Sequence, residues 1–157
     1  MTSMPADSLC TVQELGRWRA HATCVADGDH GVLILGKSGA GKSTLAAELM
    51  ALGCALVCDD VVEIELEGLG NLMCMPPKNA PEQLEMRGFG LLSIPLKRSA
   101  KLTFCLLLTE DAAPRFPPEE TLTFDECRVP LYRACHGVGL ASKVVLLLRH
   151  GGRTLRA

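Results

Sequence analysis

Apolar positions along the chain fall into short runs separated by glycine and proline clusters, and most runs have the length of a strand. Residues 21–27 (HATCVAD) are rich in strand formers, 28–31 (GDHG) read as a turn, and 32–36 (VLILG) as a second apolar strand. Residues 42–53 (KSTLAAELMALG) carry helix formers throughout, with Leu45, Leu49 and Leu52 predicted on one face and Gly53 where a C-terminal cap belongs. Strands are predicted over 54–58 (CALVC) and, with partial alternation, over 61–68 (VVEIELEG). A turn at GLGN precedes LMCM at 72–75, and 76–83 (PPKNAPEQ) is a proline-rich loop. Residues 84–95 (LEMRGFGLLSIP) mix glycine with apolar residues, and 101–108 (KLTFCLLL) predicts a strong strand. Residues 110–120 (EDAAPRFPPEE) form a polar, proline-rich loop. The tail ASKVVLLLRHGG is apolar but too short for its period to separate helix from strand. The order strand, loop, helix, strand is a βαβ unit and predicts an α/β core. No repeat or linker divides the 157 residues, so one domain over 1–157 is expected.

Composition narrows the classes. A formal net charge of -2 gives no bulk attraction to nucleic acid or anionic membrane, so neither is expected as a partner. No apolar run approaches the roughly 20 residues of a membrane span. The first ten residues, MTSMPADSLC, lack the basic and apolar regions of a signal peptide, and a cytoplasmic location is expected. The eight cysteines contain no C-x-x-C pair, and most sit in apolar runs such as ATCVA and TFCLLL. They read as reduced, buried small hydrophobes.

The chemistry concentrates in GKSGAGKS, residues 36–43, which fits G-x-x-x-x-G-K-[ST] between an apolar strand and a helix. Its glycines let backbone N–H groups wrap a phosphate, and the helix dipole points to the same place. The candidate nucleotide-binding residues are Gly36, Lys37, Ser38, Gly39, Ala40, Gly41, Lys42, Ser43 and Thr44. Lys42 is expected on the β- and γ-phosphates of ATP and Ser43 on Mg²⁺. Asp59 and Asp60 end the strand that follows the helix. Side-by-side strand ends would bring them to Lys42 and the metal, where cation and carboxylates compensate. One aspartate suits a water-mediated Mg²⁺ contact and the other a general base for an incoming hydroxyl.

Several segments together resemble the HPr kinase/phosphorylases of bacteria. The likeness covers HATCVA, then GVLILGKSGAGKSTLAAELMALGCALVCDDVVEIE, and then LEMRGFGLLSI, about residues 20–94. The aspartate pair reads CDD here where the family has ADD, and the family signature E-I-R-G-x-G-I reads EMRGFGL. The resemblance implies a PEP-carboxykinase-like, P-loop nucleotide core with a mixed sheet and few helices. It implies that Asp60 accepts the proton of a substrate serine, with Asp59 beside the metal and Glu85 as a second Mg²⁺ contact. It places Arg87 and Gly88 in a catalytic segment, His21 in the active site, and Arg115 as the counterpart of a phosphorylase arginine. It further implies phosphorylation of the small phosphocarrier HPr from ATP, phosphate-driven reversal, and a hexamer. The chain is similar to short members that consist of the kinase core. Two other readings stay open: a nucleotide-sensing module without transfer, and a P-loop kinase of small molecules. Intact His21, Asp60 and Glu85 argue against the first, and the lack of an arginine-rich lid against the second.

Overall fold

A computed structural model of the chain describes residues 1–155. Among these, the strands in chain order are β1 (Thr2–Pro5), β2 (Thr11–Glu14), β3 (Arg17–His21), β4 (Thr23–Asp27), β5 (His30–Leu35), β6 (Ala55–Cys58), β7 (Val61–Glu67), β8 (Asn71–Met75), β9 (Gln83–Met86), β10 (Gly90–Ser93), β11 (Ala100–Leu108), β12 (Glu120–Phe124) and β13 (Cys127–Ala134). Helix α1 (Lys42–Ala51) follows β5, and α2 (Leu140–Arg149) follows β13. The protein is a mixed α/β fold: one 11-stranded mixed sheet, a two-stranded β9–β10 hairpin and two α-helices among the described residues.

Strand patterning explains where each element sits. Val32, Leu33, Ile34 and Leu35 of β5 are all buried without alternation, as a strand covered on both faces requires. The strand β7 alternates instead, burying Val62 and Ile64 while Glu63 and Glu65 turn outward. Those two carboxylates stand opposite Arg19 and Arg17 of β3 and pair with them across the ladder. Trp18 of β3 meets Phe124 of β12 edge to face, ring centroids 5.1 Å apart, tying the two ends of the sheet path through the core.

The sheet path runs β1-β12-β13-β11-β8-β7-β3-β2, and it branches at β11. The nine-residue β11 is parallel to both β13 and β5, and its first residues also pair with β8. From β5 the branch continues antiparallel to β4 and then antiparallel to β6. The two strands of the βαβ unit are therefore parallel but not adjacent, because β4 lies between them. This corrects the expectation of side-by-side strand ends. The crossover through α1 still returns β6 in the direction of β5, so both carboxyl ends reach the same edge.

Other local readings are decided or changed. The apolar tail is a helix, α2, which buries Ala141, Val144, Val145 and Leu148 at helical spacing. Leu45 and Leu49 of α1 are buried, but Leu52 lies past the helix end and is exposed. The first twenty residues, for which the pattern gave no strand, supply β1, β2 and β3. Gly53 ends α1 as predicted, with φ +101° and Cys54 N–H returning to Leu49 C=O at 3.1 Å. The eight cysteines are free, and six are buried. Burial pushes the Cys10 thiol up to about 12 and the Cys105 thiol well above its ordinary range, and the Cys24 thiol, also in the centre of the core, is raised as well. For Cys24 the largest cause is its hydrogen bond with Cys74, with burial next.

Candidate active site

The loop between β5 and α1 is shaped by close approach. A Cβ on Gly36 would stand 3.1 Å from Ala40 Cβ and 3.3 Å from both Leu108 Cβ and Leu108 O, so a side chain there would crowd the loop and the end of β11, at a φ of +154° that favours glycine. Ala40 N–H closes a turn on Lys37 C=O at 3.0 Å. Lys42 Nζ donates to Gly36 C=O at 2.7 Å and to Lys37 C=O at 3.1 Å, bracing the start of the loop. Gly41 opens α1 in the left-handed region at φ +103°.

Asp59, just past β6, meets this loop through hydroxyls rather than through Lys42. Ser43 Oγ lies 3.0 Å from Asp59 Oδ1 and 3.1 Å from Oδ2, and Thr23 Oγ1 donates to Oδ1 at 2.7 Å. The predicted Lys42–aspartate compensation is thus replaced by two hydroxyl donors, since the Lys42 ammonium is occupied by loop carbonyls. Asp60 has φ +75°. Val61 N–H bonds back to Asp59 C=O at 3.0 Å, which makes Asp60 the centre of a γ-turn of the rare, strained kind. Asp60 C=O accepts from Ala22 N–H at 3.1 Å, pinning that turn to the gap between β3 and β4.

A cleft of about 880 Å³ opens over these residues. Lys42, Ser43, Asp59 and Asp60 line it, as do Glu85 and Arg87 of the β9–β10 hairpin. Leu84 is buried and anchors that hairpin, while Gly88 (φ +88°) and Gly90 (φ +105°) turn it. The fold thus brings Lys42, Ser43, Asp59, Asp60, Glu85 and Arg87 to one cleft. His21 is the register partner of Val61, next to Asp60, but its side chain is exposed and does not line the cleft. Arg115 lies in the exposed loop after β11, its guanidinium carbon 5.2 Å from the Phe116 ring, and is not brought to the cleft. Cys58 reaches the cleft as a neutral thiol, its pKa pushed up to about 11 by burial and further by Asp59 and Asp60.

The donor set fits Mg²⁺. Asp59 and Ser43 offer hard oxygens, and no group of three or more His, Cys, Asp or Glu among the described residues forms a closed metal cage. A cation that keeps waters and takes one or two carboxylates plus phosphate oxygens suits such an open site. Sequence reading missed three residues here. Arg19 and Lys78 also line the cleft. His136 packs on Gly41 from the loop after β13, and its one sequence signal is a histidine followed by glycines in CHGVG.

The family model described as HPr Serine kinase C-terminal domain matches residues 14–98, the stretch that contains the P-loop, the aspartate pair and the β9–β10 hairpin. The chain belongs to this family. Among curated HPr kinase/phosphorylases, it is 47% identical over 64 residues to those of Bacillus licheniformis and Bacillus subtilis strain 168, and 48% identical over 64 residues to that of Nitrosomonas europaea. The matched segment is 41% of this chain and 21% of the Bacillus licheniformis protein, so it spans about a fifth of that relative's length. The HPr kinase fold extends further than the sequence likeness. The solved Hpr(Ser) kinase/phosphatase of Coxiella burnetii superposes with a TM-score of 0.72 at 24% identity, covering 84% of this chain and 94% of that one. No helix among the described residues is long and apolar enough to cross a membrane.

Proposed function

We propose that the chain is an ATP- and Mg²⁺-dependent protein-serine kinase whose acceptor is an HPr-like phosphocarrier. The observation that carries this reading is the contact of Ser43 with Asp59, beside Asp60, at the mouth of a P-loop cleft. In this reading the triphosphate lies along Gly36–Ser43, with Lys42 on its β- and γ-phosphates and Ser38, Gly39 and Ala40 offering backbone N–H groups. Ser43 and Asp59 would hold Mg²⁺, with Glu85 of the same cleft as a further contact, and the ion when bound would neutralise charge on the phosphoryl oxygens. Asp60 takes the proton of the acceptor serine as its oxygen bonds to the γ-phosphorus and the bond to the bridging oxygen breaks, releasing ADP. Arg87, which lines the same cleft, adds positive charge where the transferring group develops negative charge. His21 supports the Asp60 turn through the β3–β7 ladder. A hexamer, by family likeness, is the assembly to test by light scattering.

The relatives' names pair the kinase with a phosphorylase. In the same site, phosphate would attack phosphoserine, the serine oxygen would leave with the proton of Asp60, and pyrophosphate would form. The deciding experiment follows labelled phosphate from ATP to purified HPr and to an HPr whose acceptor serine is alanine. Label on the first alone is expected. No label on either, with measurable ATP binding, would overturn the acceptor assignment and favour a nucleotide sensor.

A further inference from the structure

Gly41 is covered from outside the cleft by an imidazole. A Cβ built on it would stand 3.1 Å from His136 Cγ and 3.3 Å from His136 Cβ and Nδ1. The far side of the same ring, Nε2, lies 2.7 Å from Glu48 Oε1. A carboxylate only accepts, so Nε2–H donates to Glu48. Glu48 sits on α1, nearly two turns beyond Gly41, so one half-buried ring spans from the P-loop backbone to the flank of the helix that the loop feeds. The segment that carries His136 joins β13 to α2 and is held at both ends, with Thr109 N–H on Ala134 C=O at 2.8 Å and Lys143 N–H on Gly139 C=O at 3.2 Å. It also lies outside residues 14–98, the stretch that the family model matches. Neither His136 nor Glu48 lines the cleft.

We propose that His136 and Glu48 are positioning residues that hold the end of the P-loop, so that its amides are already arrayed for a triphosphate. The proposal rests on the nucleotide reading above. Gly36, Gly39 and Gly41 all have positive φ, and such a loop has many competing conformations to lose on ordering. Lys42 braces the start of the loop through the carbonyls of Gly36 and Lys37. His136 braces its end by filling the space beside Gly41, with its rotamer fixed by Glu48. A ring acting in this way touches phosphate only through the backbone. Its removal should therefore weaken every polyphosphate ligand alike, whatever base the ligand carries.

The test is titration calorimetry of the full chain with Mg²⁺–ATP and with Mg²⁺–tripolyphosphate. H136A and E48A should each weaken both probes by about 5- to 10-fold, the scale of one hydrogen-bonded contact. The double variant should lose little more than either single one, because the pair acts as a unit. H136Q, which keeps a donor for Glu48, should recover most of the loss. E48A changes a surface position on α1 and keeps the test available if H136A fails to fold. Unchanged affinities in folded E48A would overturn the proposal, and so would a loss confined to ATP, which would make the pair a nucleoside contact. Failure of the wild-type chain to bind either probe would instead overturn the nucleotide reading on which the proposal rests.

Discussion

Ser43 Oγ is shared between both carboxylate oxygens of Asp59, at 3.0 Å and 3.1 Å, while Thr23 holds Oδ1 at 2.7 Å. The two hydroxyls come from the first turn of α1 and the start of β4, so Asp59 is oriented by two separate elements before any ligand arrives. Orientation of this kind is what a metal-adjacent carboxylate needs.

Thr23→Val should therefore weaken Mg²⁺ binding without touching a phosphate contact. We expect the Mg²⁺ concentration for half-maximal transfer to rise by about 10-fold, the low end of losses for groups that orient a ligand. A magnesium titration of transfer at saturating ATP measures it. An unchanged midpoint would separate Asp59 from the metal.

Asp60 is constrained by its backbone as well as its chemistry. At φ +75° a β-branched or large residue would be strained, whereas asparagine tolerates the left-handed region. D60N should fold and bind nucleotide like the wild type while its transfer rate falls by about 10²- to 10⁴-fold, the contribution of a positioned base. A wild-type rate in D60N would remove the base assignment.

What could be read from the sequence were features whose physics is local. The P-loop needs glycines and a helix start within eight neighbouring positions, 36–43, and α1 needs only its own formers and Gly53. The aspartate pair could be placed by the crossover rule, although its partners could not. The β4–β5 hairpin is local, but insertion of β4 between β5 and β6 also depends on its antiparallel pairing with β6, which lies beyond α1 in the chain and which no short window encodes. That insertion is why Asp59 meets Thr23, the first residue of β4. The strands β1 and β2 are four residues long and present no buried face, so no apolar pattern marks them and tertiary pairing decides them. A lone histidine in a glycine-rich loop carries no sequence signal that it packs on Gly41. The family resemblance supplied Glu85 and Arg87, which spacing alone left weak, and both line the cleft. It also supplied Arg115, which the fold leaves on an outer loop.

Gly152, beyond α2, is packed as tightly as the P-loop glycines although it lies in no site. Its φ is +78°, and a Cβ there would stand 2.7 Å from Thr103 Cγ2 and 3.0 Å from both Phe104 Cδ1 and Thr103 O. Tyr132 OH donates to its carbonyl at 3.0 Å, and the Tyr132 ring meets Phe104 edge to face. Gly152→Ala should destabilise by about 1–3 kcal/mol through backbone strain and overpacking. Urea denaturation measures the loss, which should leave nucleotide affinity in the folded protein unchanged. A neutral effect would show that this turn is free to move off β11.

The buried thiols make a prediction about alkaline stability. Cys58 is held neutral with a pKa of about 11 against its ordinary 9.0, chiefly by burial and also by the neighbouring aspartates. A group whose folded pKa is raised contributes stability that is fully present below the unfolded value and is lost as pH rises toward the folded one. Unfolded Cys58 ionises from about pH 9 while the folded thiol keeps its proton, so the unfolded state gains favour across pH 9–11. One such thiol steepens the loss by at most about 1.4 kcal/mol per pH unit. Replacing Cys58 by alanine removes that titration while lysines and the tyrosine remain, so the difference between the two proteins isolates it. Urea midpoints taken from pH 8 to pH 11 should converge as pH rises, with the wild type falling faster. Parallel curves would mean that the folded thiol ionises as readily as the unfolded one, which would overturn its raised pKa.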